Sequence, residues 1–500
     1  MSQKKFVYLP LDERPCNYSF VGFISENNEK YRLVSPPLEK LGKGNTPADY
    51  QTIKAFLLQE CADADYLITA LDMILYGGIF PSRRHHLPQE ELENRLTLLR
   101  VLKENNPRLK IYAFSLVMRC PHYSRAESEP DYFNICGREI FLYGQNEHKY
   151  ADGLISKEEY LATKESLKIC EPYIPDFTSR REKNINVFLS ALEMVGNVID
   201  EFAILQDDSA PYGYTALDQR KVRAMIEKRG IDVESYPGAD EGGLTMLARA
   251  ITDMENYSPK ICPVYPDESC KNVIPLYEDR EVYKSIRSQI KSAGATLCER
   301  ESEADILLFC NLPIGEMQEI TDLYGPNYTA RNLPQYVEKM KKAQEAGKAV
   351  ALADIAYSNG GDAETVDEVT QKIGLLSLAG YAGWNTSSNT LGTVICQSIL
   401  YHFYGDTETH RRFTALRVYE DVGYCAYVRE QIRNNELAQM GYTFYEVDGQ
   451  RGKVARRVEE FLNEYMQEKY PEITDRYEIA DCYLPCSRMF EVALLIKEKA

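Results

Sequence analysis

Two aspartates in succession, Asp207 and Asp208, close an apolar run at Phe202–Leu205 and open a polar loop that leads to Tyr212 and Gly213. Neighbouring carboxylates at the end of a buried strand point in different directions and meet different surroundings. One can stay protonated and donate to a leaving group while the other orients a substrate or stabilises charge. We therefore expect Asp207 and Asp208 to be catalytic. Acidic residues recur where other apolar runs meet loops. Asp12 and Glu13, with Arg14 and Asn17, follow the first run, and Asp72, with Tyr76 and Arg83, follows the third. Arg119 closes the fourth, Tyr212 follows the acid pair, Asp240 and Glu241 follow the sixth, and Asp354 leads to Asn359. Trp384, Asn385 and Asn389 lie in a stretch of small polar residues that opens a helix. All of these are expected to bind the substrate.

A split acid pair among tyrosine, tryptophan and asparagine suits cleavage of a glycosidic bond, because aromatic faces and amides are what sugar rings stack on and bond to. In local pattern the pair resembles the acids of retaining N-acetylhexosaminidases, where the substrate's own acetamido group assists. That resemblance implies a glycoside hydrolase acting on a small saccharide, an N-acetylhexosaminide among the candidates, with no cofactor. Two other readings stay open. Asp12, Asp72, Asp207, Asp208, Asp240, Glu241 and Asp354 are also hard oxygen ligands for a divalent cation such as Mg²⁺ or Mn²⁺, which would make a metal-dependent hydrolase or lyase. A non-catalytic small-molecule-binding protein would use the same lining. Plainer roles compete as well: aspartate at a strand–helix junction caps the helix. Arg14, Arg83, Arg84 and Arg119 either clamp a carboxylate or phosphate or pair with these acids.

Several classes are disfavoured. There is no Gly-x-Ser-x-Gly elbow and no P-loop, and six histidines without His-x-x-x-His spacing argue against zinc. A net charge of −18 repels nucleic acid and anionic membranes. The expected partner is a small molecule, with a homo-oligomer possible. No apolar stretch reaches the roughly 18 residues of a membrane span, and the first residues lack a signal peptide's pattern, so a cytoplasmic location is expected. The 13 cysteines are scattered without a Cys-x-x-Cys pair and read as reduced, buried thiols.

The elements that must position these residues follow a strand–loop–helix rhythm, which predicts an α/β fold with parallel sheets. Strands are predicted at Phe6–Leu9, Tyr31–Val34, Tyr66–Ala70, Lys110–Val117, Phe202–Leu205, Val233–Tyr236 and Lys260–Val264, then at Ile306–Cys310, Ala349–Ala353 and Leu378–Tyr381. Helical periodicity covers Gln89–Lys103, Glu182–Ile199, Glu281–Ala293, Ala415–Asn434 and Gly452–Glu468. Seven strand–helix steps before about residue 270 predict a (β/α)₈-like barrel domain over 1–270, interrupted by an insertion at 120–180. A Rossmann-like or flavodoxin-like module over 271–407 and a helical C-terminal region over 408–500 complete the expectation. Two doubly wound domains are the main alternative.

Leu9-Pro-Leu-Asp-Glu-Arg-Pro-Cys-Asn17, Asp207-Asp208-Ser209 and Gly383-Trp-Asn-Thr386 together resemble a bacterial family of proteins grouped as domain-of-unknown-function family 4127. The resemblance spans nearly the whole chain. It implies that these loops belong to one recurring protein type, and it carries no activity with it.

Overall fold

Short, near-continuous apolar runs make the strands, as expected when both faces of a parallel sheet are covered by helices. The computed structural model describes residues 3–322 and 331–499. Six strands, β1 (Lys4–Leu9), β2 (Tyr31–Val34), β3 (Tyr66–Ala70), β4 (Lys110–Val117), β5 (Glu201–Gln206) and β6 (Glu234–Pro237), form one sheet in the order β2-β1-β3-β4-β5-β6. Every pairing in it is parallel. Phe6, Val7, Tyr8, Leu9, Ile68, Phe114 and Leu205 are fully buried along its centre. A second parallel sheet joins β7 (Lys260–Val264), β8 (Thr296–Leu297), β9 (Ile306–Asn311), β11 (Ala349–Asp354) and β13 (Gly380–Ala382) in the order β13-β11-β9-β7-β8. Two-residue strands β10 (Gln318–Glu319) and β12 (Tyr357–Ser358) pair in parallel between the strands of this sheet in chain order. An antiparallel pair, β14 (Tyr477–Tyr483) and β15 (Ala493–Glu498), stands apart.

The chain accordingly forms two compact units. One holds the chain up to Glu13 with Asn28–Met246 and Tyr277–Asp279; the other holds Arg14–Asn27, Leu247–Leu276 and Arg280 onward. The α/β class with parallel sheets is as expected, but the barrel is not what the strands build. The first sheet is open, with β2 and β6 at its edges. The strand that would continue it, β7, pairs instead with β8 and β9. Strand counting cannot see this, because closure depends on which edges pair and not on how many strands precede them. Both sheets follow the doubly wound order 2-1-3-4-5, the first with one strand added. In this order ligands bind at the carboxyl ends of the strands, where the chain changes direction across the sheet.

The helices depart from expectation in ways that have local causes. Gln89–Lys103 is two helices, Gln89–Leu96 and Leu98–Asn105, meeting at Thr97. Glu182–Ile199 becomes Ile174–Leu192, opened early by Pro175 in its first turn. Helices Phe133–Ala151 and Lys157–Ser166 structure the insertion, the second started by a capping box between Ser156 and Glu159. Met118, Cys120, Phe133, Cys136, Ile140, Leu167, Cys170 and Phe177 give it a core of its own. The region after residue 408 is helical at Glu408–Arg417, Arg429–Asn435 and Lys453–Lys469 but also carries β14 and β15. Between the first two of these helices, Val418–Val428 runs as an 11-residue π-helix. All cysteines are free, and all but Cys425 and Cys486 are buried. Among the described residues no helix is long and apolar enough to cross a membrane.

Candidate active site

In the first unit the carboxyl ends of β3, β4 and β5 bring together Asp72, Arg119, Asp207 and Asp208. The helix Leu71–Tyr76 starts directly from β3 and is buried throughout, which places Asp72 in the interior. Its Oδ2 accepts from the Ser115 hydroxyl at 2.9 Å and the Leu116 amide at 3.2 Å. Burial pushes the Asp72 carboxyl up to about 6 against these donors, and the charge of Asp207 adds to the shift. The next helix, Ile79–Arg84, carries Arg83 inward, where its Nη2 donates to Asp207 Oδ2 at 2.5 Å.

Asp208 sits one residue further on with φ of 33°, a left-handed conformation uncommon for a residue with a side chain. That twist turns its carboxylate away from Arg83 and toward Arg119, whose Nη1 donates to Oδ2 at 2.7 Å. The two carboxylates of the pair thus face different guanidinium groups. Asp208 keeps 25% of its side chain exposed, against 10% for Asp207. Burial raises the Asp208 carboxyl above its ordinary range; Arg119 opposes this and the neighbouring Asp207 reinforces it.

A third carboxylate completes the cluster. Glu129, in the insertion, takes Arg119 Nε at 2.7 Å and Arg83 Nη1 at 3.4 Å on the same oxygen. Ser128 Oγ accepts from Arg83 Nη1 at 2.8 Å and from Arg119 Nη2 at 3.0 Å, and donates to the other Glu129 oxygen at 3.0 Å. Arg119 Nη2 also donates to Tyr123 at 3.1 Å. Burial works to raise the Glu129 carboxyl, but Arg119 and Arg83 outweigh it and hold it below the usual range. Arg84 secures the same segment, donating to the Glu129 carbonyl and, at 2.7 Å, to Asp131. Sequence reasoning missed Glu129, Ser128 and Tyr123, because the insertion has no strand end to point to them. The available signal was an arginine at each of two strand or helix ends beside an acid-rich loop.

Other expected residues of this unit have neighbours of their own. Glu13 accepts from the Gly44 amide at 2.7 Å. Tyr76 is buried against the His85 ring, with centroids 4.8 Å apart. Tyr212 packs edge-on to His148. Asp12 and Asp240 are buried, and Glu241 is sealed. Glu241 follows β6 so closely that a Cβ on Gly238 would fall 1.9 Å from its Oε1, and Gly238 has φ of 148°. Only glycine fits there. Among the described residues no group of three or more His, Cys, Asp or Glu side chains is placed to hold a metal ion.

A family model described as "Protein of unknown function (DUF4127)" matches residues 6–495. The chain belongs to this family. No curated protein matches the sequence.

The second unit holds the remaining expected residues: Arg14, Asn17, Asp354, Asn359, Trp384, Asn385 and Asn389. Asp354 closes β11 fully enclosed, accepting from Asn311 at 2.8 Å and from the Asp362 amide at 2.7 Å. Burial and the charge of Asp362 push it up to about 8. Arg331 pairs with Asp362 at 2.9 Å and donates to Asn311 at 2.6 Å. Beside Trp384, Asn385 donates to Asn389 at 3.0 Å, and Thr386 caps the helix Ser387–Tyr404 through the Asn389 backbone amide. The indole N–H donates to Thr393 at 3.1 Å, and its ring meets the Phe20 ring edge-on at 5.6 Å. The π-helix supplies a further cluster that periodicity could not reveal. Arg417 pairs there with Glu420 and, at 3.1 Å, with Asp421, while its guanidinium lies 4.0 Å from the centre of the Phe20 ring. Asp421 also accepts from the Gly383 amide through its carboxylate, at 2.8 Å, and from the Gly361 amide through its carbonyl, at 2.9 Å.

Proposed function

We propose that the first unit hydrolyses a glycosidic bond of a small saccharide, an N-acetylhexosaminide being the best match, with Asp208 as proton donor and Asp207 as its partner. The observation that carries this reading is the division within the pair. Asp207 is enclosed and ion-paired with the buried Arg83, whereas Asp208 is partly open to solvent and has its carboxyl raised by burial. A raised, reachable carboxylic acid is what a general acid requires, and a fixed carboxylate beside it is what an orienting group requires.

In the proposed course, Asp208 gives its proton to the leaving oxygen as the substrate's acetamido oxygen attacks the anomeric carbon. Asp207 steadies the acetamido N–H and the charge that forms there. Water, deprotonated by Asp208, then opens the cyclic intermediate, so that acid and base are one residue acting in turn. Cleavage should therefore decline as pH rises past the Asp208 midpoint, since the donor is lost.

The test is nitrophenol release from a panel of nitrophenyl glycosides, N-acetylhexosaminides included, by wild type and Asp208→Asn. Cleavage of an N-acetylated glycoside that falls by about 10²–10⁴-fold in the variant is expected. Equal turnover by both proteins would remove Asp208 from the mechanism, and silence of wild type across the panel would count against the reaction class.

A further inference from the structure

Arg83 and Arg119 are ion-paired with Asp207 and Asp208, and on sequence alone they either clamp an anionic ligand or pair with these acids. Their hydrogen bonds favour the pairing. All three nitrogens of Arg119 are engaged: Nε with Glu129, Nη1 with Asp208, and Nη2 with Tyr123 and Ser128. Both terminal nitrogens of Arg83 are engaged as well, Nη1 with Ser128 and Glu129 and Nη2 with Asp207. Asp207 and Asp208 belong to the strand end and would face any substrate. Glu129 and Ser128 come from the insertion, and Glu129 puts one carboxylate oxygen within reach of both guanidinium groups.

That oxygen sits where a ligand's carboxylate or phosphate would sit if the two arginines were a clamp, because paired guanidinium forks converge on such an acceptor. With Glu129 in place, three carboxylates face two guanidinium groups. An arriving anion would have to displace a buried carboxylate and would meet excess negative charge.

We propose that Glu129 is a specificity-determining residue: it occupies the anion seat between Arg83 and Arg119, so that the site accepts an uncharged saccharide and rejects acidic ones. This rests on the glycosidase reading for the word saccharide. The occupancy of the seat stands on the geometry alone.

The test compares wild type, Glu129→Ala and the near-isosteric Glu129→Gln by calorimetric titration with acetate, inorganic phosphate, glucuronate and N-acetylglucosamine, with circular dichroism to confirm folding. Wild type is expected to give no heat with the three anions at millimolar concentration. Glu129→Ala is expected to gain acetate binding, tighter by at least about tenfold, because the freed Arg119 Nε and Arg83 Nη1 regain a charged acceptor. Acetamide, uncharged and of the same shape, should not replace acetate. Binding of glucuronate or phosphate by wild type that is lost in Arg119→Gln would overturn the proposal. So would a folded Glu129→Ala that gains no anion binding. Glu129→Gln still fills the seat and is expected to bind no anion; if Glu129→Ala does not fold, Glu129→Ser, which also empties the seat, takes its place under the same criteria. Absence of N-acetylglucosamine binding in every protein would tell against the glycosidase reading, while acetate gained on loss of Glu129 would still support the occupied seat.

Discussion

Replacing Glu241 by glutamine should make the protein more stable at alkaline pH and leave it nearly unchanged in acid. Glu241 is fully buried and accepts from the Ala239 amide at 3.0 Å. Burial pushes its carboxyl from 4.5 to about 8, with Asp240 and Glu278 adding to the rise against the backbone donors. In the unfolded chain the group titrates near its ordinary value. Below that value both states hold the proton, and Glu241 costs nothing. Between the two values the folded state retains a proton that the unfolded state has released, so stability falls as pH rises. Above about 8 the folded state must carry a buried carboxylate and the full cost is present. At about 1.4 kcal/mol per unit, the shift corresponds to a penalty on the order of 5 kcal/mol. Glutamine keeps an oxygen for the Ala239 amide and has no charge to bury. Urea unfolding of wild type and Glu241→Gln at pH 5 and pH 9 measures this directly. The fixed cost of exchanging acid for amide cancels in the difference between the two pH values, as do the shifts of other groups common to both proteins. The variant should gain several kcal/mol relative to wild type between pH 5 and pH 9. Parallel pH dependences would refute the reasoning, and would mean that the carboxylate finds solvation in the folded state.

Two further substitutions probe the clusters from other directions. Arg83→Ala strands Asp207 and half-frees Glu129 in an interior where Arg83 itself is 4% exposed. Loss of one partner from a buried ionic cluster should cost about 3–5 kcal/mol in urea unfolding, and a loss below about 1 kcal/mol would show that water replaces the guanidinium. Gly383→Ala would place a Cβ 2.8 Å from the Gly361 backbone, where no side chain can swing aside. Because the Gly383 and Gly361 amides both donate to Asp421, the clash should also break that anchorage and cost at least about 2 kcal/mol, read from the thermal unfolding midpoint. An unshifted midpoint would mean that the two loops part freely.

The strand ends were legible because apolar runs bounded by polar loops mark both the strands and the residues they present. Asp72, Arg119, Asp207 and Asp208 were found that way, and the structure sets all four at the carboxyl ends of β3, β4 and β5 or just beyond. The insertion was legible as a long gap between strands. Its contribution to the site was not, since Glu129 lies in an irregular stretch where neither a period of 2 nor one of 3.6 applies. The barrel expectation failed for a different reason. The step from β6 to β7 has the same local pattern as the steps before it, and only pairing at a distance shows that β7 starts a new sheet. The π-helix at Val418–Val428 was hidden because its apolar residues fit an ordinary helical period over so few turns. The aromatic and amide residues around Trp384 read as a sugar platform, yet Asn385 and the indole N–H already donate to Asn389 and Thr393 in their own loop and helix. Residue type announces capability, and only the partners show whether it is already used.

The same distinction underlies the proposal that the first unit carries the chemistry. The two sheets share a strand order, and in each a polar cluster gathers at the carboxyl ends of the third, fourth and fifth strands in space. In the first sheet these are β3, β4 and β5, with Asp72, Arg119 and the aspartate pair; in the second they are β9, β11 and β13, with Asn311, Asp354 and Tyr381. The second cluster is enclosed. Asn311, Asp354 and Tyr381 are at most 1% exposed, and their hydrogen bonds run to one another and to Asp362, Thr365 and Arg331. Such a network fixes loops in place and offers a substrate no approach. The first cluster has the same ingredients with one difference, the left-handed turn at Asp208 that leaves part of its carboxyl in reach of solvent. A strained conformation is retained where surrounding contacts impose it, and here Arg119 and Glu129 supply them. One shared topology thus presents two buried ionic clusters, and the exposure of the Asp208 side chain is the physical ground on which acid catalysis is proposed for the first.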